Sequence, residues 1–274
     1  MNFDVELVGK IGSMALVDSA HGELDYNKFV RISRFLRPGM IWVSSGATVI
    51  GRLDYIHRTG KELDGSPEEV KADYAAQGQP ILMQTYRNFI DSRYSVRQVL
   101  LEHNHFNDEV KREHVKKLLV RCAAQNAIPI INYNDCVSSE ENRKWEIHKL
   151  QKSGRRVVEL VDNDETAAQV ACLVKSRLLV ILTNLDGIYS DLKNPASLIR
   201  EIGGSNASEV IANIDEVKKL CEGASRAGAN GAKAKLEYIK PCIENGTKVI
   251  IASSNYDLKD ILEGRVPCTV IAAR

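Results

Sequence analysis

Two segments near opposite ends of the chain each combine glycine with lysine. The first is Lys10-Ile11-Gly12-Ser13, and the second runs from Gly228 to Lys235 and contains two glycines and two lysines. Glycine lets backbone N–H groups approach an anion closely, and lysine adds a point charge. Phosphoryl transfer needs positioning and positive charge on the transferring oxygens more than covalent chemistry from the protein. The two segments therefore predict a phosphoryl group that is held from two sides.

Two further polar clusters follow apolar runs. Ser45 and Gly46 come directly after Met40–Ser44, where a hydroxyl and backbone N–H groups could hold a carboxylate or phosphate at a helix N-terminus. An ordinary serine N-cap explains the same residues. The segment Asn132–Asp135 leaves the apolar run Ile128–Asn132, and its amide and carboxylate groups suit an ammonium group or a substrate carboxylate. An Asx turn is the alternative explanation.

Acidic and hydroxyl side chains form two more candidate clusters. Asp162–Glu165 precedes a predicted helix, where acidic residues favour the helix dipole; a carboxylate here could also hold the two lysines or help carry Mg²⁺. Thr183 and Asn184 end the most apolar run of the chain, and Asp186-Gly187 follows them. This arrangement suits the edge of a nucleotide site, although an Asp-Gly pair alone indicates a turn.

These clusters need a scaffold, and apolar runs that alternate with helical patterns predict one. Such alternation indicates a mainly parallel sheet with helices on both faces, and ligands of such sheets bind beyond the carboxyl ends of the strands. The predicted strands are Val5–Val8, Met40–Ser44, Val96–Leu101, Ile128–Asn132, Leu178–Thr183 and Lys248–Ser253. The predicted helices are Tyr26–Leu36, Asp108–Ala124, Thr166–Lys175 and Lys233–Glu244. We expect Thr59–Ala75 and Ser138–Arg156 to be surface excursions, either of which could form a lid.

Composition excludes several functional classes. The chain has 37 Lys plus Arg against 36 Asp plus Glu, a balance that favours neither nucleic acid nor an anionic membrane as a partner. No apolar run approaches the roughly 20 residues of a membrane span, and the N-terminus does not resemble a secretory signal. The six scattered cysteines predict reduced thiols in a cytoplasmic protein. Walker A, G-x-G-x-x-G and G-x-S-x-G motifs are absent, as is any histidine spacing typical of zinc.

Taken in order, these segments resemble the amino acid kinase superfamily, and within it most closely the glutamate 5-kinase family. The resemblance covers nearly the whole chain, and its strength lies in the order of the segments rather than in any one of them. The matching segments are Lys10–Ser13, Val43–Ala47, Gln98–Leu101, Ile128–Asp135, Asp162–Asp164, Leu182–Tyr189, Gly228–Lys235 and Ile261–Gly264.

The resemblance implies a three-layer α/β/α sandwich, with a substrate lobe over about residues 1–160 and a nucleotide lobe over about 161–274. It implies ATP-dependent phosphorylation of the side-chain carboxylate of glutamate, the first step of proline biosynthesis, with Mg²⁺ accompanying ATP. It also implies a cytoplasmic homo-oligomer of two or four chains that binds small molecules and neither nucleic acid nor membrane. The C-terminal RNA-binding-like domain of many bacterial members is not expected here.

The resemblance also implies roles for individual residues. The catalytic residues would be Lys10, Lys235 and Asp164, with Asp164 orienting both lysines. The glutamate-binding residues would be Ser45, Gly46, Asp135 and Asn163. The nucleotide-binding residues would be Gly12, Ser13, Thr183, Asn184, Gly228, Asn230, Gly231 and Lys233. No residue is expected to bind a metal ion independently of the nucleotide.

Several positions depart from the pattern of the family. Tyr133 stands where glutamate is usual, Asn184 where aspartate is usual, and Asn230 where glycine is usual. Glu159 replaces a lysine, and residues 138–160 form a longer segment than in the family. These departures leave two alternatives open, a kinase of another small carboxylate or phosphate and a non-catalytic nucleotide-binding protein. Retention of both Lys10 and Lys235 favours a kinase, because a protein that only binds has less need of charge on both sides of the transferred group.

Overall fold

The computed structural model describes residues 2–18, 21–138, 140–152, 157–221 and 231–274, without the side chains of residues 140–142. The chain divides into two compact units. The first unit contains Met1–Ile11, Gly39–Val43 and Asp164–Arg274, and the second contains Gly12–Pro38 and Ser44–Asn163. The predicted boundary between two lobes near residue 160 stays a prediction.

Strands and helices alternate along the chain. The strands are β1 Val5–Ile11, β2 Val17–Asp18, β3 Glu23–Leu24, β4 Met40–Ser44, β5 Ser95–Leu101, β6 Ala127–Tyr133, β7 Ser176–Thr183, β8 Ile188–Tyr189, β9 Leu198–Ile199, β10 Glu201–Gly204, β11 Lys248–Ser253 and β12 Cys268–Ala273. The α-helices are α1 Tyr26–Phe35, α2 Ala47–Thr59, α3 Pro67–Phe89, α4 Asn104–Asn107, α5 Glu109–Ala124, α6 Glu140–Gln151, α7 Asn163–Leu173, α8 Ala207–Leu220, α9 Ala232–Tyr238, α10 Lys240–Glu244 and α11 Leu258–Leu262. Short 3-10 helices cover Ser13–Leu16 and Pro195–Ser197.

The first unit is built on a mixed, mainly parallel sheet with the strand order β10-β12-β11-β7-β1-β4. β7 pairs in parallel with β1 and β11, whereas β12 runs antiparallel to β11. β1 and β11 are buried except for one residue each, and four consecutive residues of β7, Leu179–Leu182, are buried, as expected for parallel strands that are covered on both faces. Gly9 of β1 allows the fully buried Trp42 of β4 to pack against the backbone, because a Cβ atom there would lie 2.0 Å from the indole ring.

In the second unit β5 and β6 form a parallel pair, and α2 packs closely against α3. Gly51 and Gly78 make this helix contact possible. A Cβ atom on Gly51 would lie 1.8 Å from the carbonyl oxygen of Tyr74, and one on Gly78 would lie 1.8 Å from that of Ala47. Both distances are far inside van der Waals contact, so the two helix backbones can be this close only at glycine.

Side-chain caps fix the start of several helices. In each case a side-chain oxygen of the N-cap residue accepts a hydrogen bond from a backbone N–H of the first turn, which satisfies a donor that the helix leaves unpaired. The caps are Asp25 for α1, Ser66 for α3, Asp108 for α5 and Asn206 for α8. Ser66 and Glu69 form a complete capping box, in which each side chain bonds the backbone of the other residue.

The structure confirms the predicted fold class, a three-layer α/β/α sandwich with a mainly parallel sheet, and all six predicted strands. The predicted helix Lys233–Glu244 is interrupted at Ile239 and forms α9 and α10. Within Thr59–Ala75, which was expected to be a surface excursion, residues 60–66 are an exposed connection, but α3 begins at Pro67. Most of Ser138–Arg156 is helical and forms α6. In the described parts of the chain, no helix is both long enough and apolar enough to cross a membrane.

Candidate active site

A buried ion cluster joins three elements of the first unit. Lys10 lies on β1, Asp164 at the start of α7 and Lys235 on α9. The Lys10 Nζ atom lies 2.5 Å from Asp164 Oδ1, and the Lys235 Nζ atom lies 2.9 Å from Asp164 Oδ2. Each oxygen of the carboxylate therefore faces one lysine. The structure brings together the three residues for which a catalytic role was predicted.

The electrostatics of this lysine–aspartate triad favour an additional anion. Burial alone would raise the pKa of Asp164, but the charges of Lys10 and Lys235 outweigh burial and hold that pKa below its ordinary value. The carboxylate is therefore ionised at neutral pH, and the triad carries one net positive charge. Buried charges are stable only when they are well paired, so an excess cation at a partly open position favours binding of an anionic group.

The second unit contains a cavity of about 500 Å³ at the ends of β4 and β6. Its wall includes all four residues predicted to bind the acceptor, together with Ser13 from the nucleotide group. These four residues are Ser45, Gly46, Asp135 and Asn163. We call this cavity the acceptor pocket. Gly12, which precedes Ser13, is not among the residues that line it.

Gly46 shapes one wall of the acceptor pocket. It is the N-cap residue of α2 and has a φ of 119°, a conformation that residues with a Cβ atom rarely adopt. A Cβ atom at this position would also lie 3.3 Å from Leu16 Cδ1. Glycine therefore allows the sharp turn from β4 into α2, which places Ser45 and the first residues of α2 in the wall of the pocket.

A chain of amide hydrogen bonds fixes Asn163 in the pocket wall. Its Nδ2 atom donates to Ser45 Oγ at 2.8 Å and to Asn132 Oδ1 at 3.0 Å. Asn132 in turn donates to Gln79 Oε1 at 2.9 Å. The Asn163 Oδ1 atom is buried and accepts no hydrogen bond from any described residue. A ligand with a hydrogen-bond donor would satisfy this acceptor, since unpaired buried polar groups are costly.

Two cationic side chains that sequence reasoning missed also line the pocket. Lys71 of α3 forms an ion pair with Asp135, with 2.9 Å between Lys71 Nζ and Asp135 Oδ1. Arg143 of α6 lines the pocket and donates from Nη1 to the carbonyl oxygen of Leu160 at 2.9 Å. Both residues lie in segments expected to be surface excursions, so no pattern in the sequence connected them with the site.

Tyr133 ends β6 inside the pocket, and its hydroxyl group lies 2.7 Å from Ser138 Oγ. Burial raises the pKa of Tyr133, so the phenol is neutral at pH 7. The position where the family usually carries a glutamate therefore presents an uncharged hydroxyl group in this chain. Asn134, which follows it, donates to Glu102 Oε1 at 2.7 Å.

The structure describes some, but not all, of the residues predicted to bind a nucleotide. The Thr183 hydroxyl group accepts a hydrogen bond from the Leu185 N–H group at 2.9 Å and so closes a turn at the end of β7, while Asn184 is exposed. Gly231 is the N-cap residue of α9, and Lys233 lies in the first turn of that helix. Gly228 and Asn230 lie outside the described residues. Within the described ranges, no group of three or more His, Cys, Asp or Glu side chains could hold a metal ion.

Comparison with known proteins identifies the class of this chain. The sequence profile of the amino acid kinase family matches residues 6–253. The chain therefore belongs to the amino acid kinase family, as the resemblance predicted. Membership of this kinase family supports a phosphotransferase and implies the use of ATP.

The curated proteins to which this chain is similar include glutamate 5-kinases. Glutamate 5-kinase 2 of Bacillus subtilis strain 168 is 32% identical over 267 residues, which cover 93% of this chain and 64% of that protein. Glutamate 5-kinase of Alkaliphilus metalliredigens strain QYMF is 29% identical over 284 residues, which cover 100% of this chain and 97% of that protein. The chain spans 60–65% of the length of several curated relatives, among them the Bacillus subtilis protein.

Solved structures support the fold. Carbamate kinase from Giardia lamblia, bound to AMP-PNP, superimposes with a TM-score of 0.60 and covers 98% of each chain, at 16% sequence identity. At this level of identity the likeness concerns the fold alone. The predicted amino acid kinase fold is confirmed.

Proposed function

We propose that this chain transfers the terminal phosphoryl group of ATP to the side-chain carboxylate of L-glutamate, which gives glutamyl 5-phosphate and ADP. This reaction is the first step of proline biosynthesis. The observation that carries the proposal is the triad of Lys10, Asp164 and Lys235, in which one buried carboxylate holds two ammonium groups. Support for glutamate as the acceptor comes from the curated relatives at about 30% identity.

In this proposal the triad stabilises the charge of the transferring group. Phosphoryl transfer places negative charge on the oxygens that pass between donor and acceptor, and fixed cations stabilise that charge without reorganising. Lys10 and Lys235 supply these cations, and Asp164 fixes their positions. The glutamate carboxylate is ionised at neutral pH, so the reaction needs no general base. Catalysis then consists of alignment and charge neutralisation.

The acceptor pocket has groups that suit an amino acid. The Asp135 carboxylate and the unpaired Asn163 Oδ1 atom are acceptors for an ammonium group. Ser45 Oγ and the backbone N–H groups at the start of α2, after Gly46, are donors for a carboxylate. The volume of about 500 Å³ is within the range typical of small-molecule sites.

The described residues fit a nucleotide whose phosphates carry Mg²⁺. The triad has one net positive charge, and the described residues contain no carboxylate cluster for a separate metal ion. Mg²⁺ is commonly bound through substrate phosphates and water with few protein ligands. We propose Gly12, Ser13, Thr183, Asn184, Gly231 and Lys233 as nucleotide-binding residues, together with Gly228 and Asn230. ATP supplies the phosphoryl group that the two lysines stabilise.

One observation favours a second candidate, a kinase of a related small carboxylate or phosphate. Tyr133 places a neutral phenol, bonded to Ser138, in the pocket wall at a position where the family usually carries a glutamate. An acceptor other than glutamate could form a hydrogen bond with the Tyr133 hydroxyl group. A panel of amino acids, other carboxylates and phosphorylated small molecules, assayed by ADP release with Mg²⁺-ATP, separates the two candidates. Nucleotide binding without turnover of any acceptor would instead identify a non-catalytic member of the fold.

Variants of the pocket test the assignment of the acceptor site. Ser45→Ala, Asp135→Asn and Asn163→Leu should each raise the KM for glutamate and leave the KM for ATP nearly unchanged. Loss of one hydrogen bond to a charged group corresponds to about a ten- to hundredfold rise in KM. Asp73→Asn, an exposed carboxylate on the same helix as Lys71, is the matched control and should behave as wild type. A change confined to the KM for ATP would contradict the assignment.

A further inference from the structure

We propose that Arg143 is a specificity-determining residue of the acceptor pocket, whose guanidinium group binds the carboxylate of the acceptor that does not react. The proposal rests on the proposed function. It adds a residue from a helix in the segment where this sequence differs from the pattern of the family. Arg143 lies on α6, within the segment 138–160 that is longer than its counterpart in the family.

Arg143 is positioned to contact a ligand in the acceptor pocket. Its side chain lines the acceptor pocket, where one of its N–H groups donates to the carbonyl oxygen of Leu160. A guanidinium group has five N–H donors in a planar fork, so a pair of donors remains for a ligand. Burial raises the pKa of Tyr133, and the positive charge of Arg143 is one of the influences that oppose this rise. The charge of Arg143 therefore acts on the pocket interior.

The anchoring of α6 is the second argument. Ile147 is buried, with an exposed fraction of 7%, and the Glu146 carboxylate lies 2.7 Å from Nε2 of the buried His103. Gln151, at the end of the helix, donates to Glu159 Oε1 at 3.1 Å. These contacts hold the part of α6 that follows Arg143 against the rest of the second unit. The helix α6 is thus a fixed part of the pocket wall, and its Arg143 side chain places one positive charge in that wall.

The charge balance of the pocket is the third argument. Lys71 already has a carboxylate partner in Asp135. Arg143, in contrast, forms no ion pair with any residue in the described part of the chain. A half-buried guanidinium group without a counter-ion fits a carboxylate ligand, because arginine binds carboxylates through two parallel hydrogen bonds.

The chemistry of the reaction indicates which carboxylate this is. The reacting carboxylate must keep a free oxygen lone pair for attack on phosphorus, and a bidentate arginine would withdraw electron density from it. A carboxylate that is not transformed has no such constraint. Lys71 pairs with one carboxylate oxygen of Asp135, Oδ1. If the other oxygen binds the ammonium group, Arg143 completes a site for the ammonium and carboxylate pair of an α-amino acid.

The experiment compares two ligands that differ by this carboxylate alone. 4-Aminobutanoate is L-glutamate without the α-carboxylate, and it keeps the ammonium group and the reacting carboxylate. Arg143→Gln keeps an N–H donor for the Leu160 carbonyl oxygen but removes the charge, and Arg143→Lys keeps the charge without the fork. Dissociation constants of both ligands are measured by calorimetry for wild type and both variants, and kcat with glutamate is measured alongside.

We expect Arg143→Gln to weaken glutamate binding about ten- to hundredfold and to leave 4-aminobutanoate binding within about twofold, since only glutamate loses a charge-assisted hydrogen bond. Arg143→Lys should recover part of the loss. The kcat at saturating glutamate should remain near that of wild type. Lys149→Gln, an exposed position of the same helix, is the control and should change neither constant.

Equal weakening of both ligands would overturn the inference, because it would show that Arg143 only supports the shape of the pocket. Unchanged glutamate binding in Arg143→Gln would overturn it as well. A fall in kcat without a change in glutamate affinity would place Arg143 on the reacting carboxylate and also overturn it. If the wild-type protein bound neither ligand, the proposed function would fail and the inference with it.

Discussion

The triad illustrates how a single residue can control the charge of a site. Asp164 is one of few buried carboxylates in the described chain, and both of its oxygens are engaged by lysines from different elements. Without it, two ammonium groups on β1 and α9 would repel each other in a poorly solvated position. We infer that Asp164 serves both stability and, through the lysines, catalysis.

The first prediction concerns Lys10. Replacing Lys10 with alanine should lower kcat by about two decades or more, the size typical of losing one electrostatic donor to a transition state. ATP binding should fall much less, since the charge matters most while the phosphoryl group moves. ADP release at saturating substrates measures the loss. Lys61→Ala, an exposed lysine, is the control. Near-normal turnover of Lys10→Ala would contradict the proposed role.

The second prediction concerns the pH dependence of Asp164→Asn. At pH 7 this variant should unfold with a free energy about 3–5 kcal/mol below wild type, because two buried lysines lose their partner. The pKa of Asp164 in the folded protein is held below its ordinary 3.8, so the stability it contributes is present above that value. It is lost as the pH falls through the lower, folded pKa.

Urea unfolding at pH 7, 5, 4 and 3 measures this difference. The gap between wild type and Asp164→Asn should be nearly constant down to pH 5 and should narrow below about pH 4. Asp73→Asn, at an exposed position, should lie close to wild type at every pH. A gap that widened on acidification would show that the carboxylate does not carry the stabilising charge.

Site residues differed in how well the sequence predicted them. Ser45, Gly46, Asp135 and Asn163 follow the ends of buried strands or begin a helix, where ligands of parallel sheets bind, and the structure places all four in one pocket. Arg143 could not be predicted in this way. It reaches the pocket from a helix whose position depends on tertiary contacts far along the chain.

At the scale of elements, the pair α2 and α3 determines the shape of the acceptor pocket. Ala47 to Val49 of α2 and Lys71 of α3 all line the pocket, and the two helices are in contact at Gly51 and Gly78. The position of Lys71 relative to Asp135 therefore depends on how closely the two helix backbones approach. A larger residue at either glycine would have to separate them.

The third prediction follows from this contact. Gly78→Ala should destabilise the protein by about 1–3 kcal/mol, the range for overpacking, although alanine is normally the better helix former. It should also weaken glutamate binding, since Ala47, against which the new methyl group would press, lines the pocket. Unfolding in urea and glutamate titration measure the two effects. Ala76→Ser, on the exposed face of α3, is the control, and a stabilised Gly78→Ala would contradict the packing argument.

The sequence predicted buried strands better than it predicted α3. The buried stripe of α3 includes Gly78, Gln79 and Thr85 beside its apolar residues, so hydrophobic periodicity is weak. The sequence feature that does indicate the start of α3 is the capping box of Ser66 and Glu69, with Pro67 at the first position of the helix. β12, the apolar run Cys268–Ala273 that pairs antiparallel with β11, was also missed.

At the scale of the whole molecule, three of the four unit boundaries fall at predicted site segments in the sequence. The chain changes unit at four points, of which three lie between Ile11 and Gly12, between Val43 and Ser44, and between Asn163 and Asp164; the fourth lies between Pro38 and Gly39. Each of the first three boundaries lies within two residues of a predicted site residue. Consecutive residues therefore serve different proposed roles, with Asn163 in the acceptor pocket and Asp164 in the lysine triad.

The last prediction uses ligand binding to separate the roles of two nucleotide residues. ADP with Mg²⁺ at a hundred times its dissociation constant should stabilise the wild-type protein by about 2.7 kcal/mol. For a chain of this length, that corresponds to a rise in Tm of about 5–10 °C. Gly231→Val should abolish most of this rise, because a side chain at the start of α9 would obstruct the approach of backbone to phosphate.

Lys235→Ala should keep most of the rise, because we propose that its ammonium group binds the transferred phosphoryl group, which ADP lacks. Its kcat should nevertheless fall by about two decades, as for Lys10→Ala. Thermal unfolding with and without ADP, together with turnover assays, gives both readouts. If Lys235→Ala and Gly231→Val lost the rise equally, Lys235 would be a general nucleotide anchor. Its place in the triad would then serve binding, and the catalytic role proposed for it would be wrong.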